Sequence, residues 1–247
     1  MIFNRARLPA PIAAAVALAF SPAVMAQNTS GVSNPNVEPG VAEIGYRLAY
    51  SVEDGAAPGS FAHRFQYEQS INDSIRFRAA AVLQDRNGEA LDLRSLQFRG
   101  VWQLVDSKKS GWDGAVIAIL TAPTTEGSPE KLQFGWAGAV NWNERWQSRA
   151  HVYGGVEFGD AARDGLLVAT RAETTYKLDN GMRIGAQVFN DFNTTAHFGR
   201  FDEQKHQLGF VVKDNISKRL SYEGGALFGV SARASDADLR LFLTYRL

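Results

Sequence analysis

The chain has 247 residues, no cysteine, and 26 basic against 26 acidic residues. The absence of cysteine excludes disulfides and thiolate metal sites, and the balanced charge gives no indication of a nucleic-acid partner. After residue 26 no stretch is apolar enough for a transmembrane helix, so strands would have to make any membrane crossing.

The N-terminus is typical of a secretory signal peptide. Arg5 and Arg7 precede an apolar run over 12–20, and Val24 and Ala26 supply the small residues ahead of a cut. Residues 1–26 are therefore predicted to be a signal peptide, because the apolar run is too short to span a bilayer as a helix.

A polar leader, residues 27–40, comes next. We predict a periplasmic leader that is a solvated tail, although the same segment could fold into the lumen of a barrel. Removal of the signal would leave about 220 residues, enough for one domain. The remaining chain would carry 24 basic and 26 acidic residues.

Residues 41–247 break into runs of alternating apolar and polar residues separated by turn-rich pieces, which predicts β-strands. An even number of strands returns both chain ends to one side of a closed barrel. The predicted fold class is all-β, a transmembrane, antiparallel, up-and-down β-barrel of about twelve strands. The fifth run is apolar on both faces and is not oriented by its pattern. The predicted strands are 41–52, 60–70, 75–84, 95–105, 112–121, 131–142, 146–158, 166–178, 182–189, 206–213, 220–230 and 239–247.

The connections favour a membrane barrel over a soluble sandwich. Even-numbered strands are followed by short turns such as 72–74 and 143–145, whereas 122–130 and 190–205 are longer. Short periplasmic turns and longer outer loops are typical of outer-membrane barrels. Aromatic residues beside the short turns predict an interfacial girdle. These are Tyr67, Trp102, Trp112, Trp142, Trp146, Tyr176, Tyr222 and Tyr245.

The final strand alternates strictly to the last residue, with Leu239, Leu241 and Leu243 on the face opposite Arg240 and Phe242. This strand resembles the C-terminal strand of Gram-negative outer-membrane barrels, in which an aromatic residue stands two places before an apolar terminal residue. Tyr245 and Leu247 hold those positions here. The resemblance implies a location in the cell outer membrane, contact with the lipid bilayer and lipopolysaccharide, and recognition of the C-terminal strand by the barrel-assembly machinery.

The polar face of the predicted strands carries more basic than acidic residues. This excess predicts a porin-like channel for small, possibly anionic solutes. No cofactor and no metal are expected, because the sequence has no glycine-rich phosphate loop and no metal-spaced histidine pair. Twelve-stranded porins for acidic oligosaccharides, which share an arginine-lined lumen, are the nearest functional analogy. Four arginines on the first four strands are expected to form one basic wall. With two residues of the eighth strand, the candidate pore-lining set is Arg47, Arg64, Arg78, Arg99, Arg171 and Glu173.

Two alternatives remain open. One is a closed structural barrel braced by interior arginine–glutamate pairs, for which the candidates are Glu43 with Arg47, Glu68 with Arg64, and Glu173 with Arg171. The other is an outer-membrane lipid hydrolase or protease. A hydrolase would use His63, but Ser60 falls on the opposite face; the polar candidates for a protease are Asp191, His197, Asp202 and His206.

Overall fold

The computed structural model describes residues 29–52, 59–85 and 90–247, so the predicted signal peptide lies outside the described residues. A short helix, α1, spans Ser107–Ser110, and a single 3-10 turn spans Phe201–Glu203. No helix in the described ranges is long and apolar enough to cross a membrane. The strands are β1 Ala42–Ser51, β2 Ser60–Ser70, β3 Ile75–Gln84, β4 Asp92–Val105, β5 Trp112–Pro123, β6 Glu130–Asn141, β7 Trp146–Phe158, β8 Leu167–Lys177, β9 Arg183–Thr194, β10 Lys205–Asn215, β11 Leu220–Gly229 and β12 Ala237–Arg246.

The strands form one closed barrel. Each pairs antiparallel with its neighbours in sequence, and β1 pairs with β12 in a register that sets Tyr46 opposite Leu243 and Arg47 opposite Phe242. Closure leaves no edge strand, so the backbone N–H and C=O groups of the sheet are paired within the protein, as they must be in hydrocarbon. The predicted fold class, an antiparallel up-and-down barrel of twelve strands, is confirmed.

We call the barrel end that carries the short turns and the end of β12 the turn end, and the opposite end the loop end. Most strands lie close to their predicted bounds, but β4 begins earlier and β9 ends later than predicted. In β9 the polar residues Asn190 and Asp191 give the sequence the composition of a loop. They nevertheless stay in the ladder, because Asp191 pairs with Lys205 on one side and with Ala169 on the other.

The two faces of the wall are those that the alternation predicts. On β12, Leu239 and Leu241 are 49% and 40% exposed on the outside, whereas Arg240 and Phe242 are buried in the lumen. The structure also orients β5. Its inward face carries Asp113, Ala115 and Ile117, all buried, so one wall of the lumen is apolar in spite of the polar lining elsewhere.

The aromatic girdle is exposed on the outer face at the turn end. Trp142, the most exposed of these rings, still donates from Nε1 to the Ser148 hydroxyl at 2.9 Å. An apolar ring with one polar atom bonded nearby suits the boundary between hydrocarbon and water. The exposed members are Tyr67, Trp102, Trp112, Trp142, Trp146 and Tyr245.

The polar leader is not a solvated tail in this structure. Residues 29–38, which we call the lumen segment, enter the barrel from the turn end and pass among the inward side chains. Val32 packs with Phe189 and Leu227, and both valines of the segment are buried. Val37 packs into an apolar cluster with Val101, Ala115, Ile117, Ala137 and Tyr153. The sequence favoured the solvated tail because two isolated valines in a polar run form no periodic pattern, and the structure shows the alternative, a segment folded into the lumen.

The facing of β12 gives a direct test. Leu241→Arg places a charge on the outer, lipid-facing side and is expected to lower the free energy of unfolding by roughly 2–4 kcal/mol. Thr244→Arg places the charge inside the lumen, near the turn end. Heat-modifiable mobility of the refolded protein on gels would measure the folded fraction. Equal damage from both substitutions would contradict the facing of β12.

Candidate functional site in the lumen

The wall formed by β1 to β4 sets like charges directly against each other. Arg47 lies opposite Arg64 across β1 and β2, and Arg78 lies opposite Arg99 across β3 and β4. Directly opposed like charges destabilise a sheet. The expected basic wall is therefore present, and it is arranged at a cost to the stability of the fold.

The acidic partners differ from the brace that the sequence suggested. Glu68 pairs with Arg78 and with Arg76, whose Nε lies 3.3 Å from Oε1, instead of with Arg64. Glu43 lies 3.6 Å from Arg246 instead of pairing with Arg47. The reason is geometric: on one face of a sheet, side chains directly opposite across strands approach more closely than those displaced along the strands.

The opposite wall, formed by β8 to β12, holds a compensated ionic network. Lys213 Nζ lies 2.7 Å from Glu173 and 2.9 Å from Glu223, and Glu223 also faces Arg240 at 3.5 Å. Glu173, a predicted site residue, is buried and accepts from Gln187. It is thus a structural member of this network and is not paired with Arg171, contrary to the predicted brace.

Four arginines of the predicted set make no ion pair within the described part of the chain. Arg47 donates to the Thr29 carbonyl at 3.0 Å, and Arg64 donates to Gln97 Oε1 at 2.7 Å. Arg99 donates to the Ser33 hydroxyl at 2.7 Å. Arg171 lies over the rings of Tyr153 and Phe189, at 5.3 and 5.6 Å from their centroids.

The hydrogen bonds of Arg47, Arg64 and Arg99 go to neutral oxygens, and Arg171 lies over aromatic rings, so none of these contacts neutralises an arginine charge. Arg64 and Arg99 are buried, and each has an Nε with no hydrogen-bond partner among the described residues. Buried polar atoms are normally bonded, so unpaired donors call for a specific explanation. The lumen therefore has both a surplus of positive charge and a surplus of donors, a combination that suits an anionic oxygen ligand.

A cavity of about 350 Å³ opens toward the turn end, between the lumen segment and the barrel wall. Arg47, Arg76 and Arg78 line it, together with Glu68 and Glu223. Above it the lumen segment lies among the inward side chains, where Val32 packs with Phe189 and Leu227 and the Ser33 carbonyl lies 2.9 Å from Nε2 of His151. Of the predicted arginines, Arg47 and Arg78 line this cavity, and residues of the lumen segment form its other side.

At the loop end, one carboxylate is bound by two basic side chains. Glu157 Oε1 is 2.9 Å from Lys131, and Arg163 in the following loop binds Glu157 from both its Nε and one terminal nitrogen, at 2.9 Å each. These hydrogen bonds raise the pKa of the Arg163 guanidinium above its ordinary value. Glu157 is thus fully paired, in contrast to the arginines of the β1 to β4 wall that make no ion pair among the described residues.

The residues proposed for an enzyme do not assemble into a catalytic constellation among the described residues. His63 Nδ1 binds the Tyr46 hydroxyl at 2.8 Å, and His206 binds Asn190 and Gln204 at 2.9 and 2.8 Å. Ser60 is buried on the inner face, while His63 is on the outer face. Catalytic triads need a carboxylate or similar group to orient the histidine and a nucleophile within reach of it.

No protein-family model matches the sequence, and no curated protein matches it. Several solved structures share the fold. The COG4313 outer-membrane channel from Pseudomonas putida F1 is similar with a TM-score of 0.64 and 11% identity over 88% of this chain and 99% of that one. The NanC porin has a TM-score of 0.60 with 10% identity, covering 83% of this chain and all of its own, 100%.

The KdgM porin in complex with disordered oligogalacturonate is similar with a TM-score of 0.58 and 9% identity over 82% of this chain and 98% of that one. At such identities the likeness concerns the fold. The chain thus has the fold of outer-membrane channel and porin barrels, and the predicted resemblance to Gram-negative outer-membrane barrels is confirmed at that level.

Sequence reasoning missed the residues that fill the lumen. The Ser33 hydroxyl accepts a hydrogen bond from the predicted Arg99, and the Asn34 carbonyl accepts one from Arg76, which lies outside the predicted set. A backbone carbonyl has no signature in a sequence, and serine and asparagine are common in solvated tails. The available indication was the inward arginine surplus itself, since buried donors need acceptors from somewhere.

The unequal pairing predicts unequal effects on stability. Glu68→Gln leaves Arg76 and Arg78 without their carboxylate, which should lower the free energy of unfolding by about 3–5 kcal/mol, the typical cost of breaking a buried pair. Arg64→Gln removes a charge that faces Arg47 and should leave stability unchanged or higher. Urea unfolding of the refolded barrel, followed by tryptophan fluorescence, measures both. A larger loss from Arg64→Gln would contradict the charge assignment.

Proposed function

We propose that this protein is a porin-like channel of the outer membrane that favours small anionic solutes. The observation that carries the proposal is the set of lumen arginines, Arg47, Arg64, Arg99 and Arg171, without carboxylate partners among the described residues. Fixed charge that is not neutralised inside a narrow, protein-walled lumen attracts ions of the opposite sign.

The pairing of three lumen glutamates supports anions over cations. Glu68, Glu173 and Glu223 each have at least two basic partners, so none offers an uncompensated negative site. Carboxylates, phosphates and acidic sugars suit guanidinium donors because those bonds are charge-assisted. The KdgM porin, whose fold this chain shares, was captured with an oligogalacturonate, which is consistent with such a solute class.

The location and orientation that go with this function are an outer-membrane barrel with the turn end in the periplasm. The outward leucines of β12 and the exposed girdle would contact the lipid bilayer, and the loop end would meet lipopolysaccharide. The barrel-assembly machinery would recognise β12 through its alternating outward face, which runs to Tyr245 and Leu247. The fold and the asymmetry of short turns and longer loops support this placement.

Surface labelling tests the orientation. An epitope tag inserted at Gly127, in the connection between β5 and β6 at the loop end, should bind antibody on intact cells. The same tag inserted in α1, which lies at the turn end, should bind antibody only after the outer membrane is permeabilised. The reverse pattern would contradict the orientation.

Ion selectivity tests the function. In planar bilayers with a potassium chloride gradient, the purified barrel should show a reversal potential that favours chloride, most clearly at low salt, where screening is weak. The double substitution Arg64→Gln with Arg99→Gln should lower the chloride-to-potassium permeability ratio several-fold, because it removes two uncompensated lumen charges.

A matched control uses Arg145→Gln, which removes one arginine charge from the exposed turn between β6 and β7. That variant should keep the selectivity of the unaltered protein. A cation-selective parent protein, or a selectivity that Arg64→Gln with Arg99→Gln leaves unchanged, would overturn the proposed function.

A closed structural barrel is the second candidate, and a specific observation favours it: the lumen segment lies among the inward side chains of the barrel. A folded barrel that never conducts under any salt condition would support this alternative. Conductance decides between the two, because the fold is common to both.

A further inference from the structure

We propose that the lumen segment is a displaceable plug, whose uncharged oxygens occupy the guanidinium groups that an anionic solute would bind, so that the segment and the solute compete for the same arginines. This inference rests on the proposed function, and it adds what opens the channel. The class of solute concerned is a small anion with two or more carboxylate or phosphate groups.

The segment contacts arginines from four different strands. Each contact is a guanidinium nitrogen donating to a neutral oxygen of the segment. The pairs are Arg47 with the Thr29 carbonyl at 3.0 Å, Arg76 with the Asn34 carbonyl at 2.6 Å, Arg99 with the Ser33 hydroxyl at 2.7 Å and Arg240 with the Ser30 carbonyl at 3.2 Å. The segment therefore contacts β1, β3, β4 and β12, which lie on one side of the barrel.

The segment brings no charge to these contacts. Residues 29–37 contain no acidic or basic side chain, and the first acid, Glu38, pairs at 2.7 Å with Arg246 at the turn end. Hydrogen bonds from arginine to an ionised oxygen are roughly twice as strong as those to a neutral one. A di- or tricarboxylate would thus form a stronger hydrogen bond with each guanidinium than the one that the segment gives up.

Release of the segment would leave the barrel wall intact. The segment belongs to no strand, and the wall is closed by β1 and β12 without it. The N–H of Val37 donates to the Gln103 side chain at 2.6 Å. The main apolar contacts of the segment are those of Val32 and Val37. Within the described ranges, the wall holds the segment through wall side chains, whereas each strand is held by backbone hydrogen bonds on both sides.

An anion could reach the contested groups without first moving the segment. The turn-end cavity is lined both by the segment and by Arg47 and Arg76, two of the arginines that the segment occupies. The segment also leaves the barrel at this end, since it continues through Val41 into β1. Withdrawal toward the turn end requires no passage through the wall.

Substitution at Ser33 separates competition for charge from simple packing. Ser33→Asp supplies the carboxylate that Arg99 lacks, while Ser33→Asn has the same shape without the charge. Conductance would be recorded as citrate is raised at fixed ionic strength, with sucrose as the uncharged comparison solute. Citrate should increase the open fraction of the unaltered protein, and sucrose should not.

For Ser33→Asp the citrate concentration at half-maximal opening should rise by about tenfold, the equivalent of one charge-assisted hydrogen bond over a neutral one. For Ser33→Asn it should stay within about threefold of the unaltered protein. A half-maximal concentration that is the same for Ser33→Asp and Ser33→Asn would overturn the competition.

A reversible tether tests displacement itself, since the chain has no native cysteine. Val32→Cys with Leu227→Cys places thiols on two side chains of one buried cluster. Oxidation should hold the channel closed at every citrate concentration, and reduction of the same sample should restore opening. The single substitution Val32→Cys should respond to neither treatment.

The outcomes separate this inference from the proposed function. Equal conductance of the tethered protein before and after reduction would overturn the plug while leaving the channel in place. A reduced protein that is folded by gel mobility but prefers cations would overturn the anion channel, whatever the segment does. Citrate-dependent opening that oxidation abolishes would support the plug.

Discussion

The pairing of β1 with β12 is the constraint on which the rest of this structure depends. A sheet in a lipid surrounding has no water for its edge groups, so the wall must close on itself. In the closed barrel, alternation gives each strand an outward face and an inward face. The inward polar side chains must find their hydrogen-bond and ion-pair partners within a narrow space. The lining, the ionic network and the lumen segment all supply such partners.

The lumen divides its charges unequally between two walls. On the β8 to β12 side, Lys213 joins Glu173 and Glu223 in a compensated network. On the β1 to β4 side, arginines face arginines across two strand pairs. Folds tolerate such local conflict mainly where a function depends on it. A transverse field, positive on one wall, is the electrostatic result.

The architecture could be predicted from the sequence because period-two alternation is a local property. Most strand bounds, the facing of β12 and the girdle follow from it, whereas the start of β4 and the end of β9 did not. Pairing partners could not be predicted, since Glu68 meets Arg78 through the register between β2 and β3, and register depends on the whole barrel. The orientation of β5 could not be predicted either, because its inward residues Ala115 and Ile117 are apolar and pack with Val37, which leaves no polar face in the pattern.

The route of the lumen segment constrains the order in which this protein is assembled. Thr29 contacts Arg47, only 18 positions along the chain, whereas Ser30 contacts Arg240, which is 210 positions away. The first residues of the described chain therefore complete their contacts only when the last strand arrives. Contacts of such long range form late and slowly. The contact of Ser30 with Arg240 therefore forms when β12 closes the barrel or after that step, and the beginning of the described chain is fixed in place last.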